Sequence, residues 1–457
     1  MTSLYLRSDP SSNSLSSLLQ SVLSDLEINN LARDTKLVVR SRLFDPAVFI
    51  YTVIGILNRD KEFTLRNIHY EYTCNMLKKG KESLSWEPFY DFLDKKQMPV
   101  FLKSLCDRLN AISINEFLSD TKELVDALRL KLPNLTDILI QDGSEIACNC
   151  REYKGKFEDA NEAKLHRTLS LSSFTELSSS ITSGVASERK EISMYKLENR
   201  LLLADAGYPS KKLFSQIARA KGYYLIKLKS GSALEVVGYN QYNADGTVTE
   251  FKNVKAGFNT YYKIKDKFFN KKCTFDFEVL TAEGTRQRIV AVYNEALDKH
   301  VYFATNIPKD TLDAIQIGEL YRARWQVEIS FRILKGFCSL KKCNTHKSGI
   351  VQSLIYLSQI VYLLKLIIGQ QLQKVADTTF SPKKLVNRIK CHFMDIIELA
   401  LDNGKLLSSY IERHLELFKT YTKSSPSYIN RMRGKSIRHI IEVISKTRKR
   451  SDLNFRT

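Results

Sequence analysis

Between residues 131 and 231 two short apolar runs end in aspartate: "LTDILIQDGS" reaches Asp142 and "RLLLADAGY" reaches Asp205. Apolar runs of this length, closed by glycine and polar residues, read as strands buried on both faces. "KLHRTLSLSS" and "ELSSSITSGV" read as two further strands, "SKKLFSQIARAKG" as a helix, and "YYLIKLKSG" as the strand that follows it. Strands alternating with a helix predict an α/β sheet. Neighbouring strands lie about 4.8 Å apart, so acids at like ends of two strands can face one site. Lys227 and Lys229 share one face of the last strand and set positive charge beside it.

Charge narrows the partner. With 70 Lys+Arg against 50 Asp+Glu the chain carries a formal +20, which implies a polyanion: nucleic acid or an anionic membrane surface. The oiliest stretch, "VQSLIYLSQIVYLLKLIIGQ" from Val351, is broken by Gln352, Ser353, Ser358, Gln359 and Lys365, so it predicts a buried amphipathic helix and no membrane span. Residues 1–15 lack the apolar core of a secretory signal, and the expected location is the cytosol. The eight cysteines are scattered, without a pairing framework. Cys338, Cys343 and His346 lack a fourth zinc ligand and read as structural residues.

Periodicity divides the rest. Residues 1–12 form a polar tail, and 13–130 are helical, as in "LSSLLQSVLSDLEI" and "MPVFLKSLCDRLNAI". Within that region, two helices around a Lys- and Gly-bearing turn, with Ser83 or Ser85 as cap, are open to two readings. One is a helix-turn-helix presenting Trp86 and Tyr90 to DNA; the other is a plain hairpin with those rings in the core. Residues 232–310 are all β, with turn residues at Asp245-Gly246 and Glu283-Gly284, and read as an inserted subdomain. Helix returns over 311–375, and 376–457 is a helical region ending in a basic tail.

The stretch "ELYRARWQVEISFRILKG" carries charges on an otherwise oily helix. On a uniform helix Tyr321, Arg324, Glu328 and Lys335 fall within about 60° of arc. Val327, Phe331 and Leu334 flank that stripe on one side, and Trp325, Ile329 and Ile333 on the other. A charged stripe between two apolar ones fits a helix pressed into a core with one edge facing a polar cleft, while an exposed Arg324–Glu328 pair would be worth only about 0.2–0.5 kcal/mol.

Tyr321, Arg324, Glu328 and Lys335 stand at the spacing of the tyrosine–arginine–glutamate–lysine signature, and in this the chain resembles bacterial insertion-sequence DDE transposases of the IS-four group. "QDGS" with Asp142 and "DAGY" with Asp205 are similar to that group's first and second acid motifs, over about residues 130–370. The resemblance implies a ribonuclease-H-like catalytic core, 131–231 and 311–375, interrupted by the β-rich insertion 232–310, with a helical DNA-binding domain before it and a helical extension after it. It implies Asp142, Asp205 and Glu328 as catalytic residues holding two Mg²⁺ ions, replaceable by Mn²⁺, for in-line displacement at phosphorus. Asp142 would bridge the ions by analogy. The resemblance further implies cutting at terminal inverted repeats, joining of the 3′-OH ends to target DNA, a homodimer on double-stranded DNA, and residence in the bacterial cytoplasm at the nucleoid.

Arginine binds phosphate as a fork, lysine as a point charge and tyrosine by one hydroxyl, so Tyr321, Arg324, Lys335, Lys227 and Lys229 suit DNA contacts. Asp137 opens the first strand, and Glu145 is read as lying past its turn, so neither displaces Asp142 as the candidate. Ala206 stands where hairpin-forming members of the group carry arginine. With tryptophan only at 86 and 325, Tyr261, Tyr262, Phe268 and Phe269 are the aromatic candidates for stacking a flipped base. Two other readings stay open: an inert DNA-binding descendant, and a metal-dependent nuclease without strand transfer.

Overall fold

The computed structural model describes residues 10–39, 43–59, 64–113, 119–157, 160–229, 235–243, 247–251, 272–280, 286–340, 342–402, 404–423 and 436–446. Tyr261, Tyr262, Phe268, Phe269, both proposed turns of the 232–310 region and nearly all of the basic tail lie outside these residues.

Seven helices come first: α1 Pro10–Leu23, α2 Asp25–Asp34, α3 Pro46–Arg59, α4 Leu65–Lys78, α5 Trp86–Leu93, α6 Gln97–Ile112 and α7 Asp120–Arg129. Helix α1 thus begins inside the segment read as a polar tail. Ser24, Thr64 and Ser119 cap α2, α4 and α7 by accepting from the amides of Glu27, Asn67 and Lys122, which satisfies a donor that each helix start leaves open. Ser85 is the N-cap of α5 but makes no side-chain cap bond, and Ser83 instead meets Thr73. Trp86 and Tyr90 stack on each other and pack partly buried against the main core, with Arg66 over the Trp86 ring, so the hairpin reading describes these rings.

The strands are β1 Asp137–Ala147, β2 Glu162–Ser170, β3 Glu176–Ser183, β4 Arg200–Ala204, β5 Tyr223–Lys227, β6 Glu235–Tyr242, β7 Val248–Phe251, β8 Thr274–Leu280, β9 Arg286–Asn294 and β10 Lys299–Thr305. They form one ten-stranded sheet in the order β3-β2-β1-β4-β5-β10-β9-β8-β6-β7. Strands β1, β4 and β5 are parallel; β2 and β3 run antiparallel on one side, and β10 joins β5 antiparallel on the other. The strands between residues 232 and 310 therefore hydrogen-bond onto the central sheet. Asp276 and Arg288, both buried, are paired across β8 and β9, and Arg288 also donates to the carbonyls of Ile307 and Leu312. This ties the far strands to the chain entering the next helix.

After β4 comes α8, Lys211–Arg219, capped by Ser210. After β10 come α9 Ala314–Tyr321, a 3-10 turn Arg322–Arg324, α10 Trp325–Phe337 and α11 Ser348–Ala376. Asp313 and Gln316 make a reciprocal capping box at the start of α9. Helix α11 is long and apolar enough to cross a membrane by length and composition, yet 94% of its most apolar window is buried inside the fold, against α3, α6 and the later helices. Its Lys365 is buried too and donates to the Phe337 carbonyl, as a charged group in a core must. Helices α12 Pro382–Arg388, α13 Phe393–Asp402, α14 Gly404–Thr422 and α15 Ile437–Ser445 complete the described chain.

Period-two alternation sorts the central strands onto two faces. Ile138 and Ile140 of β1, Leu201 and Leu203 of β4, and Leu225 of β5 face the large core with α9, α10 and α11; Leu139, Leu202, Tyr224 and Ile226 face the smaller core with α8. Continuing the count, Asp142, Asp205 and Lys227 belong to the face that α10 covers.

Candidate active site

Parallel pairing of β1 with β4 ends at Gln141↔Ala204. The next residues, Asp142 and Asp205, therefore stand at one level on neighbouring strands. Asp142 is not at the end of its own strand, however: β1 runs on beside β2 to Ala147, and Glu145 lies in the strand and not past a turn. The acid is released to the site because its neighbour β4 stops, not because β1 does.

The charged helix is also not uniform. The 3-10 turn at Arg322–Arg324 separates α9 from α10, so the even rotation from Tyr321 to Lys335 does not hold. Tyr321, at the end of α9, points its hydroxyl at the Ala204 carbonyl, 3.3 Å away, and at Asp205 Oδ1, 3.4 Å away, with its ring against Phe303. Arg324 donates from Nη1 to Asp142 Oδ2 at 3.0 Å and from Nη2 to Glu328 Oε1 at 2.7 Å. Lys227 Nζ is 3.8 Å from Asp205 Oδ1. Lys335 stands apart, donating to the Glu145 carbonyl at 3.1 Å, and Lys229 is exposed past the end of β5. Of the two apolar flanks, Val327, Phe331 and Leu334 are buried with Ile333, but Trp325 is 48% exposed, under the guanidinium of Arg332.

Two groups escaped the sequence reading. Arg167 stands opposite Asp142 in the β1–β2 register, fully buried; it donates from Nε to Glu176 at 2.6 Å and from Nη1 to Ser330 Oγ of α10 at 3.0 Å, between the rings of Tyr362 and Phe331. Glu188, from a 3-10 turn ahead of β4, brings its carboxylate near Asp142 from the other side of the sheet. Arg167 lies in the KLHRTLSLSS strand but in no motif that singles it out, and Glu188 lies in no periodic element.

Burial is the largest influence on Asp142 and pushes its pKa up to about 6; Arg324 and the Gly143 amide pull it down, while Glu188 and Asp205 add to the rise. Burial, with Asp205 and Asp142, also raises the Tyr321 hydroxyl, so it stays protonated and can donate. An aspartate whose folded pKa lies above its unfolded value loses stabilisation as pH rises between the two. In EDTA, Asp142→Asn is expected to unfold at higher temperature than wild type above pH 6, by about 2–3 kcal/mol, the gain disappearing below about pH 4. Melting curves from pH 4 to 8 measure this, and a gain independent of pH would contradict it.

Among the described residues no three of His, Cys, Asp and Glu stand together closely enough to hold a metal ion. Between Asp142 and Glu328 lies the guanidinium of Arg324, which balances the negative charge there. Carboxylate oxygens from two strands and a helix are the donor type that suits Mg²⁺ or Mn²⁺, with Arg324 turned off the acids.

The class follows from comparison with known families: the family model described as Transposase DDE domain matches residues 135–364, half of the chain, and the chain belongs to that family. Among individual relatives, it is similar to the transposase for insertion sequence element IS1151 of Clostridium perfringens, 21% identical over 441 residues, covering 86% of this chain and 85% of that one. The transposase for IS231F of Bacillus thuringiensis subsp. israelensis is 21% identical over 263 residues, 50% of this chain and 54% of the other. That for IS421 of Escherichia coli is 28% identical over 86 residues, 19% and 23% of the two chains. A cryo-EM structure of a piggyBac transposase synaptic complex with hairpin DNA aligns with a TM-score of 0.44 and 10% sequence identity, over 90% of this chain and 86% of that one.

Proposed function

We propose that this chain is an insertion-sequence transposase of the IS-four group that cuts DNA at terminal inverted repeats and joins the freed 3′-OH ends to target DNA. The observation that supports the reading is that Asp142 and Asp205 stand level on adjacent strands while the Arg324 guanidinium joins Asp142 to Glu328. The strand order β3-β2-β1-β4-β5, with β2 antiparallel and β4 and β5 parallel to β1, supports a ribonuclease-H-like core interrupted by residues 232–310.

Asp142, Asp205 and Glu328 would hold two Mg²⁺ ions. Bound there, the ions supply activation of the attacking oxygen and stabilisation of the leaving 3′ oxygen. Arg324 turns from the acids to the phosphate, where its fork gives two charge-assisted hydrogen bonds. Tyr321 donates one further hydrogen bond from a hydroxyl that remains protonated, and Lys227, Lys229 and Lys335 flank the DNA path with point charges. The protein acts as a homodimer on paired ends, in the bacterial cytoplasm at the nucleoid, with residues 13–130 contributing DNA binding.

The test uses the full chain, duplexes carrying the inverted repeats that flank its coding region, a second target duplex and Mg²⁺. Nicking at the repeat ends followed by joining is the expected result, with affinity falling steeply between 50 and 200 mM salt as phosphate contacts release counterions. Binding without cleavage would instead establish an inert descendant, and cleavage without joining a nuclease.

A further inference from the structure

Both acid motifs contain a glycine that borders Glu188, the one side chain common to the space beside each. A Cβ on Gly143, the residue after Asp142, would lie 2.6 Å from Lys164 Cε and 3.5 Å from Glu188 Oε1. A Cβ on Gly207, two residues after Asp205, would lie 3.0 Å from Glu188 Oε2. The first distance would force Lys164 to shift and the last would crowd Glu188 Oε2, while 3.5 Å is ordinary contact, so it is the Gly207 backbone that closes on the carboxylate and the Gly143 backbone that closes on its lysine partner.

Glu188 is ion-paired with Lys164 of β2; their side chains are 23% and 6% exposed. Removing one partner of a pair this buried leaves the other charge uncompensated. The next residue, Arg189, donates from Nε to the Gly207 carbonyl at 3.1 Å. The turn Glu188–Glu191 thus touches the first motif through Lys164 over Gly143 and the second through Glu188 and Arg189 on Gly207. Beside it lie Tyr208 and Gln141, both almost fully buried, with the tyrosine hydroxyl next to Glu188 and Gln141.

We infer that Glu188, held by Lys164, is a positioning residue that locks the Asp142 and Asp205 backbones at their common level from the rear of the sheet. The inference rests on the proposed role of those two acids as metal ligands. Glu188 itself touches neither DNA nor the reacting atoms. Loss of an outer-shell partner costs about 10–100-fold in metal affinity or activity, and a residue that acts only by placing the ligands is expected to show that cost in affinity.

Mn²⁺ affinity of the full-length protein, read from the free-ion electron paramagnetic resonance signal, is the test. Glu188→Gln is expected to weaken Mn²⁺ binding about 10–100-fold while DNA nicking at saturating Mn²⁺ stays within about threefold of wild type. Gly207→Ala, which leaves every charge in place and crowds only the carboxylate, is expected to move affinity in the same direction and keeps the test decisive where Glu188→Gln fails to fold. Wild-type Mn²⁺ affinity in a folded variant overturns the assignment, and so does a nicking defect that saturating Mn²⁺ leaves unrepaired. Asp142→Asn is the separate control: should it bind Mn²⁺ as wild type does, the acid site itself is misassigned and the positioning role falls with it.

Discussion

Asp142→Asn is expected to reduce strand cleavage by roughly a thousandfold or more while leaving affinity for the terminal repeat within about threefold, since loss of an outer partner alone costs 10–100-fold and a direct ligand more. The substitution keeps side-chain shape and removes the charge that the proposed divalent ions would need. Arg324 keeps its second partner, Glu328, at 2.7 Å, so the local structure has a way to persist. Glu328→Gln is expected to behave alike, with Arg324 retained by Asp142 at 3.0 Å. Gel assays of nicking and of mobility shift, run on the same preparations, separate chemistry from binding. A variant that nicks at the wild-type rate would remove these residues from the site.

The second large effect is on stability. Glu176→Gln is expected to destabilise the protein by about 3–5 kcal/mol in urea or guanidinium unfolding, because it leaves a buried cation without its counter-charge. Glu176 is 4% exposed in its side chain and Arg167 not at all, and Gln359 of α11 also donates to Glu176, at 2.7 Å. Arg167 then remains against the rings of Tyr362 and Phe331, whose cation–π attraction of about 2 kcal/mol does not replace an ion pair. Surface pairs serve as the comparison: Lys103–Asp107, largely exposed, is worth about 0–1 kcal/mol. The buried pair also joins β2 and β3 to α10 at Ser330 and to α11, so its loss loosens the helix that carries Glu328 against the strand that carries Asp142. A cost under about 1 kcal/mol would show that the network is dispensable.

Strand and helix identities were legible because each depends on residues close in the chain. Apolar runs in β1, β4 and β5, the 3.6-residue pattern of α11, and the spacing of Tyr321, Arg324 and Glu328 all carried their signal locally. Period-two alternation even set Asp142, Asp205 and Lys227 on one face once the strands were placed. Local pattern failed where a neighbour decides. The QDGS turn signal suggested that β1 stops at Asp142, yet nine-residue pairing with β2 carries the strand on to Ala147. Uniform rotation keeps Lys335 on the face of Glu328 within α10, but two turns further along, about 10 Å, where it meets the Glu145 carbonyl, while the 3-10 turn shifts Tyr321 relative to both.

What the chain order of residue types determined alone is which groups are the candidates: two strand-borne aspartates and a helix-borne glutamate among cations. Periodicity and side-chain chemistry survive in any fold that buries those apolar faces. Which charges balance which acids was settled only in three dimensions, where Arg324 bridges Asp142 and Glu328, Arg167 sits sealed beneath them, and Glu188 arrives from behind the sheet. Those pairings join residues far apart in the chain, and their energies depend on burial and distance, quantities that no single segment possesses until the others have packed against it.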